Sequence, residues 1–173
     1  MGTQFKRQDV VLIQAALSGV MAALVTIATF LVQIPNPATK GYLNFGDIMI
    51  FISALTFGPI VGGLAGSVGS ALADIVSGYG YFAPFTFVIK GVEGALAGLI
   101  SNRTNVSRDV LAVVVAGVEM VTSYFLAEFF PLQFGWAALT EVPINISQIL
   151  AGGVVGVPIA VIIRKRLPEI LRQ

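Results

Sequence analysis

The sequence predicts an all-α protein, an integral membrane bundle of six transmembrane helices with both the N and C termini cytoplasmic. Three observations carry that expectation. Apolar residues make up 56% of the chain and charged residues only 11%, against roughly one quarter charged in an ordinary soluble domain. The apolar residues come in long uncharged runs spread over the whole sequence. The basic residues fall almost entirely on one side of a six-span arrangement.

Polar or proline-rich breaks delimit the runs. The first follows Lys6 and Arg7 and extends over about residues 9–32. It is too long for a secretory signal, lacks a small-residue cleavage site and precedes further apolar segments, so it is read as a retained span. The second, about 46–57, is short for a crossing, and Gly58-Pro59 predicts a tight turn into the third, about 60–77. The fourth covers about 84–101, the fifth about 108–130 and the sixth about 141–165. None alternates apolar and polar residues as barrel strands do, and helices satisfy their own backbone groups in lipid. Residues 1–173 are expected to form a single six-helix transmembrane domain.

Lys6, Arg7, Arg103, Arg108, Arg164, Lys165, Arg166 and Arg172 all fall on one side of this arrangement. Only Lys40 lies in a loop on the other. Retention of basic residues marks the cytoplasmic side. The long outward loop from Gln33 to Phe45 contains two prolines and a glycine that resist helix, and is read as a lid over an outward cavity or as a plain connector. Tyr79, Tyr81, Phe82, Phe134 and Trp136, in the other outward segments, are read as interface anchors.

Several function classes drop out. Cysteine and histidine are absent, which removes thiolate and imidazole ligands and disulfides, so no metal and no resident cofactor is expected. No Gly-Lys-Ser/Thr phosphate loop is present, and the net charge of +1 gives no reason to expect nucleic acid as a partner.

Lipid offers helices little hydrophobic reason to associate, so stripes of small residues mark contact faces. The third span carries Gly62, Gly66 and Ser70, and the sixth Gly152, Gly153 and Gly156; both are read as internal packing. The first span carries Ala15, Gly19 and Ala23 at four-residue spacing, a face for internal packing or for a partner.

Polar groups within spans need a reason, since an ionised side chain at mid-bilayer costs about 2.5 to 3.5 kcal/mol on insertion scales. Lys90 and Glu93, three apart, share a helix face and can pair. They form either a structural staple or part of a site. Asn44, Asp47, Asp74, Tyr124, Glu128, Glu141, Asn145 and Gln148 fall in the same outer half, as a pocket for a small polar heterocycle would require. Asp47 is also favourable in the first turn of a helix whatever the ligand. The candidate substrate-binding residues are therefore Lys90, Glu93, Tyr124, Glu128, Asn145, Gln148, Asn44 and Asp47. Glu119 is deeper and has no assigned place.

The run Asn44-Phe45-Gly46-Asp47, followed by Phe57-Gly58-Pro59, Gly62-Gly63 and Gly66, resembles the substrate-specific S components of energy-coupling factor (ECF) vitamin transporters. The resemblance extends over nearly the whole chain, including the segment from Pro84 to Gly94, and is nearest the branch for riboflavin, hydroxymethylpyrimidine and pyridoxine-related substrates. It implies a membrane subunit of a prokaryotic plasma membrane that binds a vitamin from outside, joins a transmembrane T component carrying two ATPase subunits, and topples to deliver its ligand. It further implies a pocket in the outer part of the last three spans, covered by the first loop. It also implies a T-component contact at an Ala-x-x-x-Ala motif, matched here by Ala15, Gly19 and Ala23 with glycine in place of one alanine. No enzymatic activity is expected. The rivals are an intramembrane enzyme using Asp74, Glu93, Glu119 or Glu128, and a small channel or structural subunit; the sequence has no tight pair of carboxylates to favour the first.

Overall fold

The computed structural model describes residues 7–167. Its elements are α1 (Arg7–Leu31), a hairpin of β1 (Ile34–Pro35) and β2 (Tyr42–Leu43), α2 (Gly46–Phe57), α3 (Pro59–Val76), α4 (Ala83–Ile100) and α5 (Val106–Phe129). A 3₁₀ turn (Gly135–Thr140) then leads into α6 (Glu141–Ala151), a π turn (Gly152–Gly156) and α7 (Val157–Arg166). The last three run on without a break and form one span, so the chain makes the six helical passes its hydropathy predicts. Five of them are long and apolar enough to cross a membrane alone.

The exception, α2, is short because of where it sits. None of its residues is exposed. Phe51 and Leu55 pack with Val113 of α5 and Val157 of α7, while Ile50 and Ile52 pack with Met21 and Val25 of α1 and Val61 of α3. A helix apolar on every side is one surrounded by protein. Gly58, at φ 94°, takes a conformation that side chains disfavour, and Pro59 then opens α3 with its preset φ.

Small residues let the backbones close. A Cβ at Gly62 would sit 2.6 Å from the Ala54 Cα and 2.8 Å from the Gly94 carbonyl, and one at Gly69 would sit 2.6 Å from the Ala22 carbonyl. Gly152 meets the Phe51 ring in the same way, at 2.6 Å. The stripes of the third and sixth spans therefore face inward. That of α1 does the opposite: Ala15, Gly19 and Ala23 are all exposed, and no atom lies within 4 Å of a Cβ placed at Gly19.

The stretch from Gln33 to Phe45, whose two prolines and glycine resist helix, carries no helix. It is a short antiparallel hairpin pairing Ile34 with Leu43 and Pro35 with Tyr42. Its turn is closed by Asn36 N donating to the Gly41 carbonyl at 2.7 Å, with Lys40 in the left-handed region. The loop from Ser101 to Asn105 and the end of α7 meet at the opposite end of the bundle, where Arg103 and Lys165 line one cleft.

Arg164, at the same end as Arg103 and Lys165, has a structural task. It is buried, and its guanidinium grips Asp109 through Nη2 to Oδ2 and Nη1 to Oδ1 (3.2 Å). Ser101 Oγ adds a 2.6 Å bond to Asp109. The residue is thus a tie between α7 and α5; its partner, 55 positions earlier, leaves no local pattern in the sequence. Lys6 and Arg172, also counted in the charge bias, lie outside the described residues.

Gly62→Val should force α3 off α2 and α4, at a cost of about 1 to 3 kcal/mol from overpacking. The purified protein should melt earlier, while Gly19→Ala should melt no lower than the parent.

Candidate functional site

The site is built on α4. Pro84 starts the helix, and its inner face presents Thr86, Lys90 and Glu93 to the bundle. Lys90 is 3% exposed and Glu93 fully buried. The ammonium donates to Asp47 Oδ1 and lies 3.0 Å from Glu93 Oε2. The second contact is Coulombic, since Glu93 lacks the alignment of a hydrogen bond. Burying one ion here is tolerable only against partners of opposite sign. The ammonium also stands 5.7 Å from the Tyr124 ring centroid, within cation–π range.

Beyond this triad, toward the hairpin, lies a chamber of about 40 Å³. Of the residues singled out in the sequence, Asn44, Lys90, Tyr124, Glu128, Asn145 and Gln148 line it. Asp47 and Glu93 do not; they stand behind Lys90 and hold it. Asn44 has a double task, because its side chain also accepts a 2.9 Å bond from Gly46 N at the start of α2.

The walls are cross-linked by their own polar groups. Gln148 Nε2 donates to Asn145 Oδ1 at 2.8 Å, as their three-residue spacing on α6 allows. Tyr124 OH donates to Thr86 Oγ1 at 3.0 Å. Tyr42 OH donates to Asp74 Oδ1 at 2.6 Å. Burial, and then the neighbouring Asp74 carboxylate, push the Tyr42 hydroxyl above its ordinary pKa, so it remains a donor. Glu128, 2% exposed, keeps Oε2 without a hydrogen-bond partner among the described residues, and Asp74, 4% exposed, likewise keeps Oδ2.

The hairpin is fastened over this chamber. Asn36 Nδ2 donates to Glu141 Oε1 at 3.0 Å and to Thr140 Oγ1 at 2.8 Å, and the Thr39 hydroxyl donates to the same Glu141 carboxylate. Asn44 N donates to Gln148 Oε1 at 3.3 Å, and Tyr81 OH to the Lys40 carbonyl at 3.1 Å. Of the two readings of this loop, the geometry fits a cover rather than a plain connector.

Sequence reasoning did not select Tyr42, Phe82 and Thr86 as wall residues, nor Asp74 and Glu141, which it noticed in the outer half. Thr86 was within reach, being one turn before Lys90 on the same face. Phe82 is 5% exposed and walls the chamber, whereas Trp136, at 74% exposure, is placed as an interface anchor would be. Glu119 is half-buried on α5 and accepts a 2.8 Å bond from Ser123 Oγ, away from the chamber wall.

With this geometry in hand, comparison with known proteins gives a consistent result. A family model for the ECF-type riboflavin transporter S component matches residues 10–165. A protein of Pyrococcus woesei described only as an uncharacterized protein in the gap 3′ region is 47% identical over 148 residues, covering 85% of this chain and 99% of the relative. The thiamine precursor transporter HmpT of Lactococcus lactis subsp. cremoris is 27% identical over 138 residues, covering 79% of this chain and 78% of its own. A solved structure of the S component of a bacterial ECF transporter superposes with a TM-score of 0.61 at 19% identity, covering 92% of this chain and 98% of that one, a likeness of fold.

Lys90→Met strands two buried carboxyl groups and should destabilise the protein by about 3 to 5 kcal/mol. The combined Lys90→Met, Asp47→Asn, Glu93→Gln variant removes all three charges together and should melt well above the single variant. Equal melting temperatures would dissolve the triad as a stabilising unit.

Proposed function

Because this chain belongs to the ECF-type riboflavin transporter S component family, we propose that it captures a small vitamin or vitamin precursor from outside the cell in the chamber beneath the hairpin. It is a transporter subunit and not an enzyme. Uptake then proceeds with a transmembrane T component and two ATPase subunits, since this chain has no nucleotide-binding motif. The chain acts as one substrate-binding domain in a prokaryotic plasma membrane, with both termini cytoplasmic. The clustering of Arg103, Arg108, Lys165 and Arg166 in the loop after α4, the first turns of α5 and the end of α7 supports that orientation.

The observation that carries the substrate reading is the chamber's demand for donors. Asp74, Glu128 and Glu141 line it, and the single cation on its wall, Lys90 among the described residues, is already engaged by Asp47 and Glu93. A ligand rich in hydrogen-bonding N–H groups meets the unpartnered Glu128 Oε2 and Asp74 Oδ2. The size points the same way. A volume of about 40 Å³ corresponds to roughly three water positions. A single-ring heterocycle requires less displacement of the walls than a three-ring flavin. The favoured substrate is accordingly an amino-substituted single-ring heterocycle of the pyrimidine type, and the thiamine-precursor substrate of the HmpT relative supports this choice. Riboflavin, the substrate in the family's description, is the second reading.

Mass spectrometry of small molecules released from the purified protein tests both. A single-ring amine at near-stoichiometric occupancy is expected; a flavin would select the second reading, and no binding across a vitamin panel would reject the site. Glu128→Gln should weaken binding about fivefold, the loss of one buried hydrogen bond.

The exposed Ala15, Gly19 and Ala23 on α1 are assigned to contact with the T component, because an uncovered small-residue face permits close helix approach. Gly19→Leu should leave ligand affinity unchanged and reduce co-purification with the module. Normal assembly would exclude this face.

A further inference from the structure

At the end of the bundle opposite the chamber lies a second, larger cleft of about 830 Å³. Its walls come from Thr56 of α2, the loop between α4 and α5, the first residue of α5 and the last turns of α7. Arg103, Arg164 and Lys165 line it, together with the hydroxyl residues Ser101 and Thr104 and the apolar Val106 and Val161. None of the described residues lining the cleft is acidic. Asp109 stands behind Arg164 and is bonded to it.

Arg103 is held in place by its loop. Its backbone is in the left-handed region at φ 59°. Ser101 Oγ accepts from Arg103 N at 3.2 Å, and Asn102 Oδ1 accepts from Thr104 N at 3.2 Å and Asn105 N at 2.9 Å. Non-glycine residues seldom adopt that conformation unless their surroundings impose it. Burial, and then the nearby Arg164 charge, lower the Arg103 guanidinium from its ordinary pKa, the consequence of two like charges brought to one cleft.

The occupant's chemistry follows from the mixture of walls. Cations and hydroxyls suit a phosphate, whose oxygens accept from guanidinium and ammonium groups. The apolar part of the cleft continues onto lipid-facing surface: Val106 is 49% exposed, Val110 50% and Ile162 61%. A soluble phosphate has no use for that flank, whereas a phospholipid has both a phosphate and an acyl chain. Basic clefts between helix ends at headgroup depth are recognised sites of anionic lipid. We propose that this cleft binds the headgroup of an anionic phospholipid, with Arg103 and Lys165 meeting the phosphate and Val106 and Val161 meeting the start of the chain. The site is separate from the vitamin chamber, so its test does not depend on which vitamin is transported.

The experiment is native mass spectrometry of the full chain in mild detergent, titrated with phosphatidylglycerol or phosphatidylcholine. Phosphatidylglycerol should be retained about tenfold more than phosphatidylcholine, as expected for two basic residues at the phosphate. The Arg103→Gln, Lys165→Gln double variant should lose that preference, and the charge-keeping Arg103→Lys, Lys165→Arg variant should keep it. If the double Gln variant melts early, Lys165→Gln alone, at an exposed position, should still lose about threefold or more of the preference. Equal retention of the two lipids, or full retention by the Gln variants, overturns the proposal. So does displacement of the lipid by inorganic phosphate alone, which would make this a soluble-phosphate site. Loss of module assembly with lipid retention unchanged would assign the cleft to a protein partner instead.

Discussion

An ammonium inside a bilayer has no water to solvate it, and the placement of Lys90 at 3% exposure is sustained by the two carboxylates set against it. Those partners come from different elements. Glu93 is one turn along α4, but Asp47 sits in the first turn of α2, the helix that protein surrounds on every side. The triad therefore ties the centre of the bundle to α4 and fixes the depth of the chamber floor. Everything nearer the hairpin takes its position from that floor: the Tyr124 ring over the ammonium, Thr86 one turn earlier, and the Asn145 and Gln148 amides across the chamber.

That geometry requires backbones closer than ordinary side chains permit. α3 reaches α4 because Gly62 and Gly94 meet without side chains, and Gly66 lies directly against the Lys90 carbonyl. The final span uses a second device. Besides Val157, its buried positions run Glu141, Asn145, Gln148, Gly152, Gly156, Ala160 and Arg164. Successive steps of four residues drift by about 40° each on a regular α-helix and would soon turn the stripe away from the core. The wider π turn at Gly152–Gly156 takes up part of that drift, so one face carries both chamber amides and the distant Arg164. Glycine at Gly152 and Gly156 then admits Phe51 and the Ile48 carbonyl at close range.

Hydropathy exposed the spans in the sequence because the bilayer imposes a length and a composition on each one, and the observed helix ends fall within two residues of the expected ones. The Lys90–Glu93 pair was equally visible, since three residues along a helix is a local spacing. Asp47 as the closer partner was not, because it is 43 positions away and its helix-start location already explained a carboxylate. The hairpin and its attachment were hidden for the same reason: Asn36 and Thr39 meet Glu141 more than 100 positions later, and a two-residue strand has no periodicity to detect. Polar residues in apolar runs thus pointed to a polar chamber, while its wall, from Tyr42 to Glu141, required the tertiary fold.

The distribution of charge bears on how such a body can move in lipid. After Asp9, α1 carries no charged residue along its length, and its exposed face is apolar or small. The titratable groups at mid-depth, Lys90, Asp47 and Glu93, are turned inward and face one another. Glu119, the half-buried exception on α5, is partnered by Ser123. Arg103, Arg108, Lys165 and Arg166 gather at the end carrying the second cleft, where headgroups can meet them, and Lys40 lies in the hairpin at the other end. A rigid rotation of the bundle would therefore carry its central charges within itself, and the groups that must exchange one polar environment for another are those at the two ends. The hairpin over the chamber and the cationic cleft opposite are the two surfaces whose hydration would limit such a rotation, whereas the packed interior between them would travel unchanged.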